Sequence, residues 1–257
     1  MSTIVLEKRE KLLIIRFNNP KKKNALKVQD YMEITEVLQD AENDDSVSVV
    51  AFTGTGSFYT SGNDLSASSL LSGDGGSIDL NTPSEILDKM ILEIYTFPKP
   101  LVAVVNGPCI GIGATTAALC DLVYCSTTTY FRTPFTALGL CAEACSSYTF
   151  PRILGQSKAS EMLLFNHKLS AEEALKFNFV SEIFKPEELE TKIWPRIVEF
   201  SKLPPSTVKV GKRLIKMHLK NTLKEAAATE LESLQQQFVS EEFLEGLSTF
   251  LSKKSKL

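Results

Sequence analysis

The sequence predicts an α/β core that ends in a helical module. Three observations carry this: short apolar runs alternate with amphipathic stretches as far as residue 126, the patterns after residue 154 are almost wholly helical, and neither an internal repeat nor a composition shift marks a second fold. At 257 residues the chain has room for one large domain with a helical appendage. A hydrophobic content of 43% against 23% charged residues is enough to build a sizeable core.

In order along the chain, 3–8 and 11–17 are β-prone runs separated by Arg9-Glu10, the pattern of an opening hairpin. A polar, basic loop follows over 18–24. Apolar residues at Val28, Tyr31, Met32, Ile34, Val37 and Leu38 then recur with helical period. Residues 47–52 form a buried-type strand closed by Thr53-Gly54-Thr55-Gly56, and the Ser-, Gly- and Asp-rich stretch 66–82 reads as a loop. Pro83 opens a helix that Pro98-Lys99-Pro100 stops. Residues 101–105 are a second apolar strand, 114–119 a short helix and 122–126 a third strand. Helices are expected over 157–165, 171–177, 186–203, 207–219 and 225–250, with Pro195 dividing or kinking its own.

Composition excludes several functions. The net charge of −3 and the scattered lysines give no nucleic-acid stripe, and no apolar run reaches membrane-spanning length. The N-terminus lacks the apolar core of a signal peptide. Five cysteines without metal-ligand spacing read as reduced thiols, and two distant histidines, His167 and His218, leave no zinc site and no His-based triad. The sequence closes on Ser255-Lys256-Leu257, a receptor-read peroxisomal address, so a peroxisomal import receptor is an expected partner and the peroxisome matrix the expected location. The basic cluster Lys253, Lys254 and Lys256 reads as a solvated tail beside that signal.

Two glycine-containing turns follow apolar strands: Tyr59-Thr60-Ser61-Gly62-Asn63-Asp64-Leu65, and Asn106-Gly107-Pro108-Cys109-Ile110-Gly111-Ile112-Gly113. Glycine lets backbone come close to a ligand with amide N–H groups exposed. Two such turns at successive strand ends suit an oxyanion hole, although each alone is equally an ordinary turn. The second fails the dinucleotide pattern at Thr116. Glu143, among small and apolar neighbours from Leu140 to Cys145, is a candidate buried acid or else a capping one.

Five segments then resemble one family in order and spacing: Phe58 to Leu65, Phe97-Pro98-Lys99-Pro100 with the strand and Asn106-Gly107-Pro108 after it, Cys120-Asp121-Leu122-Val123-Tyr124, Leu169-Ser170-Ala171-Glu172-Glu173-Ala174-Leu175, and Phe179-Val180-Ser181-Glu182-Ile183. They are similar to the crotonase (enoyl-CoA hydratase/isomerase) superfamily across nearly the whole chain. The resemblance implies a crotonase-like spiral of ββα units over 1–200, a C-terminal helical trimerisation region over 201–254 and the targeting tripeptide at 255–257. It also implies acyl-CoA thioester substrates, no separate cofactor, and a homotrimer or dimer of trimers.

By position, the resemblance makes the backbone N–H groups of Asn63 and Ile112 the oxyanion-hole donors. It places Lys22, Lys23, Asn24 and Ala25 in a loop beside the CoA nucleotide, a segment that reads equally as a solvated basic turn, and makes Ser61, Gly62, Asn63, Asp64, Leu65 and Gly111 CoA-binding residues. The two glutamates of the family's hydratases are replaced by Thr115 and Phe135. Glu143, within Glu143-Ala144-Cys145-Ser146-Ser147-Tyr148-Thr149-Phe150-Pro151, stands where the peroxisomal Δ3,Δ2-enoyl-CoA isomerase branch keeps its single acid. The expected activity is therefore conversion of cis- or trans-3-enoyl-CoA to trans-2-enoyl-CoA in β-oxidation of unsaturated fatty acids. Other crotonase activities (dienoyl-CoA isomerisation, weak hydration) and non-catalytic acyl-CoA binding are the alternatives.

Further expectations concern Asn81, as a partner of the catalytic carboxyl or a helix cap, and Lys212, Lys216 or the terminal Lys253–Lys256 cluster, as CoA phosphate contacts from the same or a neighbouring subunit. Cys141 and Cys145 read as packing residues, Asp64 and Asp121 as holders of loop or cap amides, and Trp194 as a core or trimer-contact residue. Some relatives carry an acyl-CoA-binding module ahead of this domain, whereas this sequence starts at the first hairpin.

Overall fold

The computed structural model describes residues 2–65 and 81–254. The loop expected over 66–82 falls outside the described residues up to position 80, as do the Ser255-Lys256-Leu257 tripeptide and the side chain of Asn81.

A six-stranded sheet carries the fold, in the order β1-β2-β3-β4-β6-β9. β1 (Ile4–Arg9) and β2 (Leu12–Phe17) form the hairpin, and β3 (Val49–Gly54), β4 (Leu101–Val105), β6 (Leu122–Ser126) and β9 (Glu182–Phe184) extend it in parallel. Helices fill the crossovers: α1 (Val28–Asn43), α2 (Asn81–Thr96), α3 (Ile112–Ala117), α4 (Ser146–Leu154), α5 (Gln156–Leu163) and α6 (Ala171–Lys176). The parallel strands are apolar on both faces because both faces are covered. Ile15, Phe17, Val50, Phe52, Ala103 and Val105 pack into the main core beneath the crossover helices. The alternate residues Leu12, Ile14, Val49, Ala51, Val102 and Val104 meet Trp194 and Ile197 on the opposite side. Trp194 is thus a core residue.

A second layer of strand pairing crosses the spiral. β5 (Cys109–Ile110), β7 (Tyr130–Arg132) and β8 (Leu169–Ser170) form a three-stranded sheet. Single bridges continue it from Cys109 to Thr60 and, one turn further, from Asn63 to Leu26. Successive turns of the chain therefore stack where both glycine turns lie.

After β9, a π-turn over Leu189–Ile193 leads into α7 (Trp194–Ser201), so Pro195 sits in the first turn of a helix, where its missing N–H costs little. α8 (Pro205–Lys216), α9 (Lys220–Gln237) and α10 (Glu241–Lys254) complete the chain. The single helix expected over 225–250 is two helices. Ser240 Oγ accepts from Phe243 N at 3.2 Å as a new N-cap, and Phe238 meets Phe243 edge to face at 5.4 Å across the break. α9 returns onto α2 and α4, and α10 onto the short 3₁₀ turn Thr136–Leu138.

Candidate active site

Strand stacking fixes the first glycine turn through its backbone. Leu26 N donates to Gly62 O at 2.9 Å, Asp64 N to Leu26 O at 2.8 Å, and Gly62 N to Thr60 Oγ1 at 3.0 Å. The Asn63 N–H, between these, has no acceptor among the described residues. The Asn63 side chain is held separately, its Oδ1 accepting from the Tyr31 hydroxyl. In the second turn Gly111 N donates to Arg132 O at 2.8 Å, and Ala114 N and Thr115 N fold back on Gly111 O, which leaves the Ile112 N–H without an acceptor among the described residues.

Gly62 (φ +87°) and Gly111 (φ +57°) occupy backbone conformations open to glycine. A Cβ built on Gly62 would lie 3.0 Å from Ile110 O and 3.7 Å from Gly111 Cα, so the two turns touch backbone to backbone. Two unpaired donors on adjoining turns are what an oxyanion hole requires.

Glu143 lies in the irregular segment between the 3₁₀ turn Thr136–Leu138 and α4, and directly precedes the turn Ala144-Cys145. Its carbonyl accepts from Ser146 N at 3.1 Å, and Ala144 and Cys145 after it adopt positive φ of 56° and 61°. The residue is 7% exposed, and its carboxyl has no hydrogen-bond partner among the described residues. It shares a pocket of about 130 Å³ with the Asn63 segment, walled by Leu26, Tyr31, Ile91, Phe135, Leu234 and Phe243. Burial, with the negative charge of Glu230 second, raises its pKa to about 8.

That shift predicts a pH dependence of stability. Between the unfolded value near 4.5 and the folded value near 8 the unfolded chain binds fewer protons at this residue, so its contribution turns progressively unfavourable as pH rises. Glu143→Gln is expected to gain stability relative to wild type across this window, by up to a few kcal/mol at its upper end. Parallel melting curves from pH 5 to 8.5 test this, and a gap that does not change with pH would refute it.

The enoyl-CoA hydratase/isomerase family model matches residues 7–256. The chain belongs to the enoyl-CoA hydratase/isomerase family. It is 43% identical to "Enoyl-CoA delta isomerase 2" of Rattus norvegicus over 95% of its length, and 43% identical to "Enoyl-CoA delta isomerase 3, peroxisomal" of Mus musculus over 94%. It spans 62% of the rat protein and 76% of the mouse one. Among solved structures, an enoyl-CoA hydratase/isomerase from Pseudoalteromonas atlantica T6c superposes with a TM-score of 0.89 at 30% identity, covering 98% of each chain. The crotonase-like architecture expected from the sequence is the one observed.

Thr115 and Phe135 are the positions at which the family resemblance expects hydratase acids. Thr115 is fully buried and its hydroxyl donates to Ile112 O at 3.2 Å, while Phe135 is part of the pocket wall. Neither side chain titrates near neutral pH.

The residues expected along CoA divide into three groups. Asn63, Asp64 and Leu65 line the pocket with Glu143. Ser61, Gly62, Gly111 and Ile112 form the adjoining backbone, and Lys22, Lys23, Asn24 and Ala25 lie in the loop beyond it, joined by the bond from Ser61 N to Lys23 O at 2.9 Å. Within that outer group Asn24 is buried, its amide donating to Thr55 O and Phe58 O and its Oδ1 accepting from Asn19 N, so its side chain builds the loop. Lys22 pairs with Asp64 at 3.2 Å, and Lys23 stands over the Phe58 ring.

Lys212 and Lys216, expected as CoA phosphate contacts, are engaged within the fold. Both ion-pair with Asp121, at 2.6 and 2.8 Å, and donate to the carbonyls of Lys99 and Leu119. Asp121 also accepts from Leu101 N at 2.8 Å, the amide-holding role expected of it. Cys145 is buried with its thiol pushed up to about 12, and burial raises Cys141 as well, so neither is poised as a nucleophile. No group of three or more potential metal ligands occurs among the described residues.

Sequence reasoning missed Glu230, 5% exposed on α9. The signal was present: Leu223, Ala227, Glu230 and Leu234 form the buried stripe of α9, with one acid in an apolar series.

Proposed function

We propose that the protein is a Δ3,Δ2-enoyl-CoA isomerase acting on cis- or trans-3-enoyl-CoA. The observation that carries this reading is that Glu143 is, among the described residues, a buried carboxyl without a hydrogen-bond partner in one pocket with the Asn63 turn, while Thr115 and Phe135, where the family resemblance expects hydratase acids, do not titrate. The thioester oxygen takes the N–H groups of Asn63 and Ile112. Glu143, as carboxylate, removes a proton from C2, and the electron pair moves through a dienolate whose oxygen the two amides stabilise. The protonated Glu143 then delivers that proton to C4, leaving the double bond between C2 and C3. Nothing is oxidised or lost, and the carboxylate is regenerated. A positioned acid–base of this kind contributes about 10²–10⁴ in rate.

The acyl chain extends between α2, α9 and α10, whose apolar side chains wall the pocket. The dienoyl-CoA isomerase alternative gains one observation: Asp88 of α2 lines the same pocket, and burial raises its pKa. Peroxisomal residence and binding to the import receptor rest on Ser255-Lys256-Leu257 and fit the name of the mouse relative. A homotrimer or dimer of trimers fits the apolar residues Leu214, Ile215 and Met217 left exposed around the end of α8.

The test offers the protein cis- and trans-3-enoyl-CoA, trans-2-enoyl-CoA and 3,5-dienoyl-CoA. Fast formation of trans-2-enoyl-CoA with little hydration is expected. Dominant hydration, a faster dienoyl shift, or acyl-CoA binding without turnover would each replace this reading.

A further inference from the structure

Glu230 reaches the Glu143 turn from α9, with 86 residues of chain between them. Its Oε2 accepts from Cys145 N at 2.6 Å and its Oε1 from Ser147 N at 2.8 Å. These amides belong to the N-cap and second residue of α4, the donors that a helix start leaves unpaired and where its dipole favours an anion. No side chain of α4's own N-cap does this work, because Cys145 is there with positive φ. Glu230 is thus a cap supplied from a distant helix, and it lines the same pocket as Glu143.

We propose that Glu230 is a positioning residue for Glu143: it clamps the two amides that follow the catalytic turn and holds a fixed negative charge beside the catalytic carboxyl. The proposal rests on the reading of Glu143 as the proton carrier. Burial raises the pKa of both acids, but Glu230 has two N–H donors that favour its ionised form and oppose the rise, and Glu143 has none among the described residues. Glu230 therefore ionises first and Glu143 keeps its proton to higher pH. A carboxylate that grips a proton more firmly is a stronger base once ionised, which suits removal of a weakly acidic C2 proton.

The other groups around Glu143 do not supply this charge and clamp. Tyr31 and Lys27 face the pocket from the start of α1, Asp64 follows the Asn63 donor, Asp88 comes from α2, and Cys141 and Cys145 flank the turn. Tyr31 is a buried phenol with its pKa raised by burial and then by Glu143, so it stays neutral. Asp64 is paired with Lys22.

The test follows the two carboxyls by ¹³C NMR of glutamate-labelled full chain, assigned with Glu143→Gln. In wild type, Glu230 is expected to be ionised throughout the pH range in which Glu143 titrates. In Glu230→Gln the Glu143 midpoint should fall by about one pH unit, and the acid limb of the isomerisation profile should fall with it. A midpoint that stays in place in a folded Glu230→Gln would reduce Glu230 to a helix cap and overturn the proposal. Should that variant not fold, the wild-type order of ionisation decides: Glu143 ionising before Glu230 refutes the idea. Because the NMR readout needs no turnover, absence of isomerisation in wild type would overturn the proposed activity and leave this measurement standing.

Discussion

Glu143→Gln should lower isomerisation by about two to four orders of magnitude while acyl-CoA still binds within a few-fold of wild type. The amide fills the volume of the carboxyl, and Glu143 makes no side-chain hydrogen bond among the described residues that the change would break. What is lost is the ability to take a proton from C2 and hold it for C4. Thr115 and Phe135 cannot substitute, and Asp88 stands on another wall of the pocket. In wild type the carboxylate is the active form and its pKa lies at about 8, so kcat/KM should climb as pH rises toward that value and fall on the acid side. Rates from pH 6 to 9 check the climb. Equal activity in wild type and Glu143→Gln would end the single-acid mechanism.

Gly62→Ala should reduce kcat by about 10²–10³, the effect of losing one oxyanion donor, with a smaller change in KM. Two causes act together. At φ +87° an L-residue is strained by about 1–3 kcal/mol, and the added methyl would press on Ile110 O, 3.0 Å away. The strain is relieved by moving the 61–64 backbone, which shifts the Asn63 N–H from its position beside the second turn. Thermal unfolding and single-turnover rates separate the two causes: a modest drop in Tm with a large drop in kcat is expected. A fully active Gly62→Ala would mean that this amide does not hold the thioester oxygen.

The central strands were legible because burial on both faces leaves continuous apolar runs, as in Val49–Gly54 and Leu101–Val105. The strands of the cross-layer were not: Cys109–Ile110 and Leu169–Ser170 are two residues each, too short for any period. Helix α4 was missed because Pro151 lies inside it, and the break after Phe238 because the apolar spacing runs on through it. Ser240 followed by two glutamates was a readable cap. At the site, Glu143 and both glycine turns stood out as short local patterns. The pairing of Glu230 with two amides more than eighty residues upstream leaves no local trace beyond an acid in an apolar stripe. Likewise, nothing near Lys212 in sequence shows that Asp121 is waiting for it.

The pocket draws its walls from both ends of the chain, Leu26 and Tyr31 at one and Leu234, Phe238 and Phe243 at the other. During synthesis the strands and glycine turns emerge well before α9 and α10 exist. Until those helices arrive, the apolar side of α2 and the Glu143 turn are open to water, a surface inviting association with other nascent chains. Catalytic competence is therefore a late event in the life of each molecule, and the appearance of activity in a refolding experiment would time the docking of the final helices rather than the formation of the sheet.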